Sequence, residues 1–186
     1  MHTVTIVWNS GTEAESVKLL AAYPETQVIP KTTPNIQSAK VNLGLFLSDD
    51  IEGSVIFVDA NLNPNVQQPL ESLSVDSSVD VAYMTYEGNW NFPEQELNQA
   101  FQTYGMPHTG LIYFKNVQVA KQVSQAWNQI YQNTNKGEWE ERAFLLVLEQ
   151  TGVTAGELDS EWVDFTGTNT NAYFNYLTNK QLEEQE

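Results

Sequence analysis

The hydrophobic pattern of this chain switches repeatedly between the period of a strand and the period of a helix. Thr3-Val4-Thr5-Ile6-Val7-Trp8 is rich in β-branched residues and stops at Asn9-Ser10-Gly11, a turn signal. Over 12–22 the period becomes helical, with Val17, Leu20 and Ala21 on one face, and Tyr23-Pro24 closes the segment. Gln27-Val28-Ile29-Pro30 reads as a second short strand, and Ile36, Ala39, Leu43 and Leu47 predict a helix over 35–47. Ser54-Val55-Ile56-Phe57-Val58 is apolar without alternation, the pattern of a strand covered on both faces in a parallel sheet.

Beyond it, strands are predicted over 79–86 and 110–114. Val117, Ala120, Val123, Trp127 and Ile130 predict a helix, and a second covers 139–149 with Phe144, Leu145, Val147 and Leu148 inward. A short strand over 162–165 and a closing helix over 171–182 complete the pattern. Strands alternating with helices give an α/β sandwich with a mainly parallel central sheet flanked by helices. In such sheets ligands sit beyond the carboxyl ends of the strands.

Composition narrows the chemistry. With 186 residues the chain fits one domain, expected over 1–182, and buries roughly 70% of its unfolded surface. It has no cysteine, which excludes disulfides, thiolate metal sites and thiol nucleophiles. No apolar run approaches the ~18 residues of a membrane span, and the start lacks the features of a signal peptide. A cytoplasmic protein is the expectation.

Twenty-four acids against eight bases give a formal net charge of −16. Direct nucleic-acid binding, which needs Lys and Arg on phosphates, is therefore not expected. The acidity fits either a solvated surface or a mimic of nucleic acid that occupies a partner's basic groove. The acids are scattered, and only Glu183, Glu184 and Glu186 cluster, in an acidic tail over 183–186 that is expected to be disordered.

Three places could carry chemistry. Asp59 and Asn61 follow the most buried strand, and side chains at i and i+2 of an extended chain share a side. Such a pair suits Mg²⁺ or Mn²⁺ held chiefly through a ligand's phosphates; equally, Asp59 and Asn61 could cap the turn before Leu62-Asn63-Pro64. His108-Thr109-Gly110 leads into the strand over 110–114, where His108 is either structural or a ligand contact in a loop. Glu140 and Glu141 start a helix, where the dipole favours acids, or one of them is a general base facing the crevice. Neither GxSxG nor GxxxxGK[ST] occurs, and no GxGxxG opens the first helix.

Taken in order, these segments resemble the nucleotide-diphospho-sugar transferases of the A-type glycosyltransferase fold. Val55-Ile56-Phe57-Val58-Asp59-Ala60-Asn61-Leu62 resembles their strand followed by DxD, with Lys40 on the preceding helix where the family often carries a basic residue. Val79-Asp80-Val81-Ala82-Tyr83 is similar to the next strand. His108-Thr109-Gly110-Leu111-Ile112-Tyr113-Phe114 is similar to the N-[ST]-G element that lines the sugar pocket, and Trp127 stands about where the family has a tryptophan. Glu140-Glu141-Arg142-Ala143-Phe144 is similar to the helix start whose acid faces donor sugar or acceptor. Asn61 replaces the second DxD acid, and His108 replaces the asparagine.

The resemblance covers roughly 35–150 and implies a single Rossmann-like sandwich that transfers a sugar from a nucleotide-diphosphate-sugar donor with Mn²⁺ or Mg²⁺. It implies Asp59 and Asn61 at the metal, and Trp8, Asn9 and Ser10 at the base and ribose. Lys40, Asp59, His108, Thr109 and Gly110 would line the donor site, with Glu140 or Glu141 as the acidic partner. The acceptor is not specified, though so many acids favour a neutral or basic one. Asn61 and His108 also motivate a second reading, a non-catalytic relative that binds a protein or glycan.

Overall fold

The computed structural model describes residues 4–9, 27–30, 41–59, 62–64, 75–133, 140–158, 161–164, 172 and 174–176. Its strands are β1 (Val4–Asn9), β2 (Gln27–Pro30), β3 (Ser54–Asp59), β4 (Leu62–Pro64), β5 (Val81–Tyr86), β6 (Met106–Phe114), β7 (Ala155–Glu157), β8 (Val163–Asp164) and β9 (Phe174–Tyr176). Its α-helices are α1 (Gln95–Tyr104), α2 (Val117–Asn133) and α3 (Glu140–Thr151).

Among the described residues the central sheet has six strands in the order β2-β1-β3-β6-β5-β7. β1 is parallel to β2 and β3, and β5 to β7, whereas β6 runs antiparallel to both β3 and β5. The sheet is thus mainly, not wholly, parallel. The reversal of β6 has a consequence for function: its first residues lie at the edge where β3 and β5 end.

Both faces of the sheet are covered, which explains the unbroken apolar run of β3. Val55 and Phe57 pack with Trp127 of α2 and Phe144, Val147 and Leu148 of α3. Ile56 and Val58 face the other way, toward Trp162 and toward Leu62, Val163 and Phe174 of a three-stranded sheet ordered β4-β9-β8. Phe57, Phe114 and Phe144 are fully buried, each contributing about 1.5–3 kcal/mol by leaving water. A smaller cluster of Phe92, Leu97, Ala100, Met106 and Leu145 fixes α1 against α3 and the start of β6.

Several sequence expectations change. Of the helix expected over 35–47, residues 41 and 42 are helical and Leu43–Phe46 tightens into a 3-10 turn; 35–40 lie outside the described residues, as do 12–22. The turn tightens because Gly44 is pressed on α2, where its N–H donates to the buried Ser124 hydroxyl at 3.0 Å. The strand expected over 110–114 begins at Met106, so His108 and Thr109 stand in a strand and not in a loop. The closing helix over 171–182 is corrected at Phe174–Tyr176, which pairs antiparallel with β4 and parallel with β8. Two pairing partners there outweigh local helical spacing. Residues 177–186, including the acidic tail, lie outside the described residues. No helix among the described residues is long and apolar enough to cross a membrane.

Candidate functional site

The carboxyl edge of the sheet is built by register. β1 and β3 run parallel with Trp8 beside Val58 and Asn9 beside Asp59, so both strands end together. On the other side of β3, Val58 pairs with Leu111 of β6, which leaves Asp59 and Gly110 as the next residues along the two strands. Asn9, Asp59 and Gly110 therefore occupy one edge on three neighbouring strands. Ser10, Lys40 and Asn61 lie outside the described residues.

β6 then leaves the regular ladder. Its register with β5 jumps from Tyr83–Ile112 to Met84–His108, so Thr109, Gly110 and Leu111 have no place in that ladder. Such an irregularity re-aims backbone groups. The Thr109 N–H donates to Oε1 of Glu141 at 3.3 Å, with the Thr109 hydroxyl 3.5 Å from the same oxygen. The Gly110 N–H donates to Nδ1 of His108 at 3.1 Å. An imidazole that accepts at Nδ1 carries its proton on Nε2, so this bond selects the tautomer.

Glu141 is placed from the helix side. Glu140 and Glu141 form the first turn of α3, where the positive end of the helix dipole favours carboxylates. That turn is held by fully buried Trp127, whose indole N–H donates to the Glu140 carbonyl at 2.8 Å. Phe144, one turn further, packs its ring 4.9 Å from Trp127. The guanidinium of Arg142 lies 5.1 Å from the centre of the Phe92 ring.

A third donor to Glu141 comes from the end of β5. The Tyr86 hydroxyl donates to Oε1 of Glu141 at 3.1 Å, and the Tyr86 ring lies 4.6 Å from the His108 ring at 34°. The chain turns at Gly88, whose φ of +124° favours glycine, and brings Trp90 back to 6.3 Å from Tyr86. Phe101 of α1 supports Trp90 edge-on at 5.6 Å. A cavity of about 350 Å³ opens here, lined among the described residues by Tyr86, Trp90, Glu140 and Glu141. Its size falls at the lower end of the roughly 300–1,000 Å³ of small-molecule sites.

The structure thus bonds Thr109 to Glu141 and Gly110 to His108 in adjacent positions of β6, and sets Asn9 and Asp59 on the same edge. Tyr86 and Trp90 were missed by sequence reasoning. Two aromatic residues flanking Glu87-Gly88-Asn89 were the available signal, since a turn after a strand folds them toward each other.

For a divalent cation the chain offers Asp59 and Asn61, a carboxylate and a carboxamide. Both are hard oxygen donors of the type that Mg²⁺ and Mn²⁺ take, and together they bring a single negative charge. The donor chemistry fits an ion whose remaining ligands belong to a phosphorylated substrate. Among the described residues no three His, Asp or Glu side chains gather as a self-sufficient metal site.

Comparison with solved structures adds the architecture. The chain superposes on a crystal structure of the galactosyltransferase LgtC in complex with donor and acceptor sugar analogues. The TM-score is 0.55, over 94% of this chain and 87% of that one, at 11% sequence identity. The fold is glycosyltransferase-like. At that identity the likeness concerns the fold alone. No family model matches the chain, and no curated protein sequence matches it.

Proposed function

We propose that this protein transfers a sugar from a nucleotide-diphosphate-sugar donor bound along the carboxyl edge of the sheet. The observation that carries this reading is the alignment of Asn9, Asp59 and Gly110 on one edge, beside the Thr109–Glu141 pair. Trp8, Asn9 and Ser10 take the base and ribose, and Lys40 and Asp59 the diphosphate end. His108, Thr109 and Gly110 form the wall against the donor sugar. Asp59 and Asn61 would hold a Mn²⁺ or Mg²⁺ ion, which when bound neutralises charge on the departing diphosphate.

In the transfer, the anomeric carbon exchanges its bond to a diphosphate oxygen for a bond to the acceptor hydroxyl oxygen. The electron pair of the broken bond leaves with the nucleoside diphosphate. The hydroxyl proton passes to a carboxylate at the start of α3, and Glu141 is the better placed of the two. Its Oε1 is fixed by Tyr86 and Thr109 before substrate arrives, so little reorganisation is needed.

The test is release of nucleoside diphosphate from UDP- and GDP-sugars with Mn²⁺, by the natural chain and by Asp59→Ala and Glu141→Gln. Loss of donor binding in the first variant, and loss of turnover with donor binding kept in the second, is the expected pattern. Failure of every donor to bind contradicts the reading. A second reading, a binding protein that keeps the fold without turnover, is favoured by Asn61 in place of an acid; donor binding with no release of diphosphate would select it.

A further inference from the structure

We infer that a second cavity, at the sheet edge formed by β5 and β7, binds a small primary amine as its ammonium ion. It is independent of the transferase reading.

Register builds this cavity. β7 runs parallel to β5, with Val81 beside Ala155 and Tyr83 beside Glu157. Alternate residues of a strand share a face, so Tyr83, Thr85, Ala155 and Glu157 stand on one side of the sheet. Tyr83 shows which side, since its ring meets Phe144 of α3 edge-on at 5.7 Å. The C-terminal end of α1 arrives on the same side, where the Tyr83 hydroxyl donates to the Tyr104 carbonyl at 3.0 Å. A cavity of about 190 Å³ remains there, with Tyr83, Thr85, Thr103, Tyr104 and Glu157 in its wall among the described residues. That is below the roughly 300–1,000 Å³ of ordinary small-molecule sites and suits a ligand of a few heavy atoms.

The side chains of this wall offer lone pairs. A hydroxyl has one proton, and each hydroxyl named here has already placed it on a protein oxygen. Thr85 donates to Oε1 of Glu157 at 2.7 Å, Thr103 to the Gln99 carbonyl at 3.2 Å, and Tyr104 to the Leu148 carbonyl at 3.4 Å. Burial first, then Tyr104 and Glu157, keep the Tyr83 phenol protonated well above its ordinary range, so its bond to the Tyr104 carbonyl persists. These five side chains therefore present a ligand with hydroxyl lone pairs and the Glu157 carboxylate, all of them acceptors.

The backbone acts in the same sense. The last carbonyls of an α-helix form the negative end of its dipole, and the last turn of α1 contains no basic residue to offset it. An ammonium group is the complement of such a wall, with three donors, no acceptor and a positive charge. Its bond to a carboxylate is of the stronger, charge-assisted class, and Thr85 holds Glu157 in place beforehand. A ligand hydroxyl supplies one donor without the charge, and a ligand carboxylate supplies neither.

Amide NMR titrations of the full chain at fixed ionic strength test the inference, with n-butylammonium, n-butanol, butyrate and potassium ion as probes. Butylammonium should shift the amides of Thr85, Tyr104, Gly105 and Glu157 saturably, and the other three should bind about tenfold more weakly or worse. Glu157→Gln, at an exposed position, should weaken butylammonium about tenfold. Thr85→Val, which keeps the charge but frees the carboxylate, should weaken it by a smaller factor. Glu52→Gln removes the same charge from another exposed position and should change nothing, which separates this site from the general attraction of an acidic chain for cations. Butanol or potassium binding as tightly as butylammonium, affinity unchanged in Glu157→Gln, or shifts confined to other amides overturns the inference. Tighter binding of a lysine blocked at both ends than of butylammonium would overturn the assignment to a free amine.

Discussion

The indole N–H of Trp127, in the middle of α2, donates to the main-chain carbonyl of Glu140 at the start of α3. One buried aromatic residue thereby sets where the catalytic candidate Glu141 begins its helix, although Trp127 itself lines no cavity described above. Replacing it by Phe keeps the contact with Phe144 but removes the donor. Trp127→Phe should cost about 1–3 kcal/mol, read as a lowered Tm, because a carbonyl within the fold loses its partner. Turnover should fall along with it. Unchanged turnover in a destabilised variant would show that Trp127 does not position Glu141.

Glu141 separates geometry from charge. Glutamine at 141 can still accept from Thr109 and Tyr86 through its amide oxygen, so Glu141→Gln should leave Tm within about 1 kcal/mol of the natural chain. Turnover should fall by about 10²-fold or more if the carboxylate takes the acceptor proton. Glu141→Ala, which leaves the Thr109 N–H without this acceptor, should also lose about 1–3 kcal/mol of stability. Comparing denaturation midpoints of the two variants checks the distinction.

Gly44 is required by contact and not by conformation. A Cβ there would lie 2.3 Å from the Ser124 hydroxyl and 2.5 Å from the Ala120 carbonyl. Gly44→Ala should destabilise the chain by about 1–3 kcal/mol through overpacking. Adding Ser124→Ala should restore only part of that, since the Ala120 backbone cannot move out of the way.

Tyr83 predicts an alkaline limit. Its hydroxyl donates to the Tyr104 carbonyl at 3.0 Å. Burial first, then Tyr104 and Glu157, hold its ionisation well above the ordinary 10.0. As pH rises past about 10 the unfolded chain ionises at this residue while the folded chain does not. Its contribution is therefore complete below pH 10 and is lost progressively above it. Tyr83→Phe should cost about 1 kcal/mol at neutral pH through the lost hydrogen bond, yet flatten the decline above pH 10. Urea denaturation across pH 8–11 measures both.

What could be read in the sequence follows from which forces were local. β3 was legible because burial on both faces leaves its mark on every residue, and Val55, Ile56, Phe57 and Val58 divide between two cores as an unbroken run implies. α2 and α3 were legible from spacing. The helical stripe of α1, Leu97, Ala100, Phe101 and Tyr104, was equally present in the sequence but was not assigned, in a segment crowded with Gln and Asn. β9 is not legible because three residues have no period of their own, and only β4 and β8 make them a strand.

The candidate site divides the same way. The sequence points to Thr109, Gly110 and Glu141, and the hydrogen bond between Thr109 and Glu141 joins positions 32 residues apart. The irregular register of β6 that aims the Thr109 N–H at Glu141 is set by pairing with β5, which no local pattern encodes. Tyr86 and Trp90 escaped notice because aromatic residues in a strand and a loop look like core until their exposure is known.

The place where a nucleoside diphosphate binds tests the transferase reading most directly. Crystals grown with UDP or GDP and Mn²⁺ should carry density for the diphosphate and the ion at the joint end of β1 and β3, next to Asp59 and Gly110, and Asp59→Ala should abolish both. Well-ordered crystals that bind the nucleotide on another face, or that leave this edge bare at saturating ligand, would contradict it.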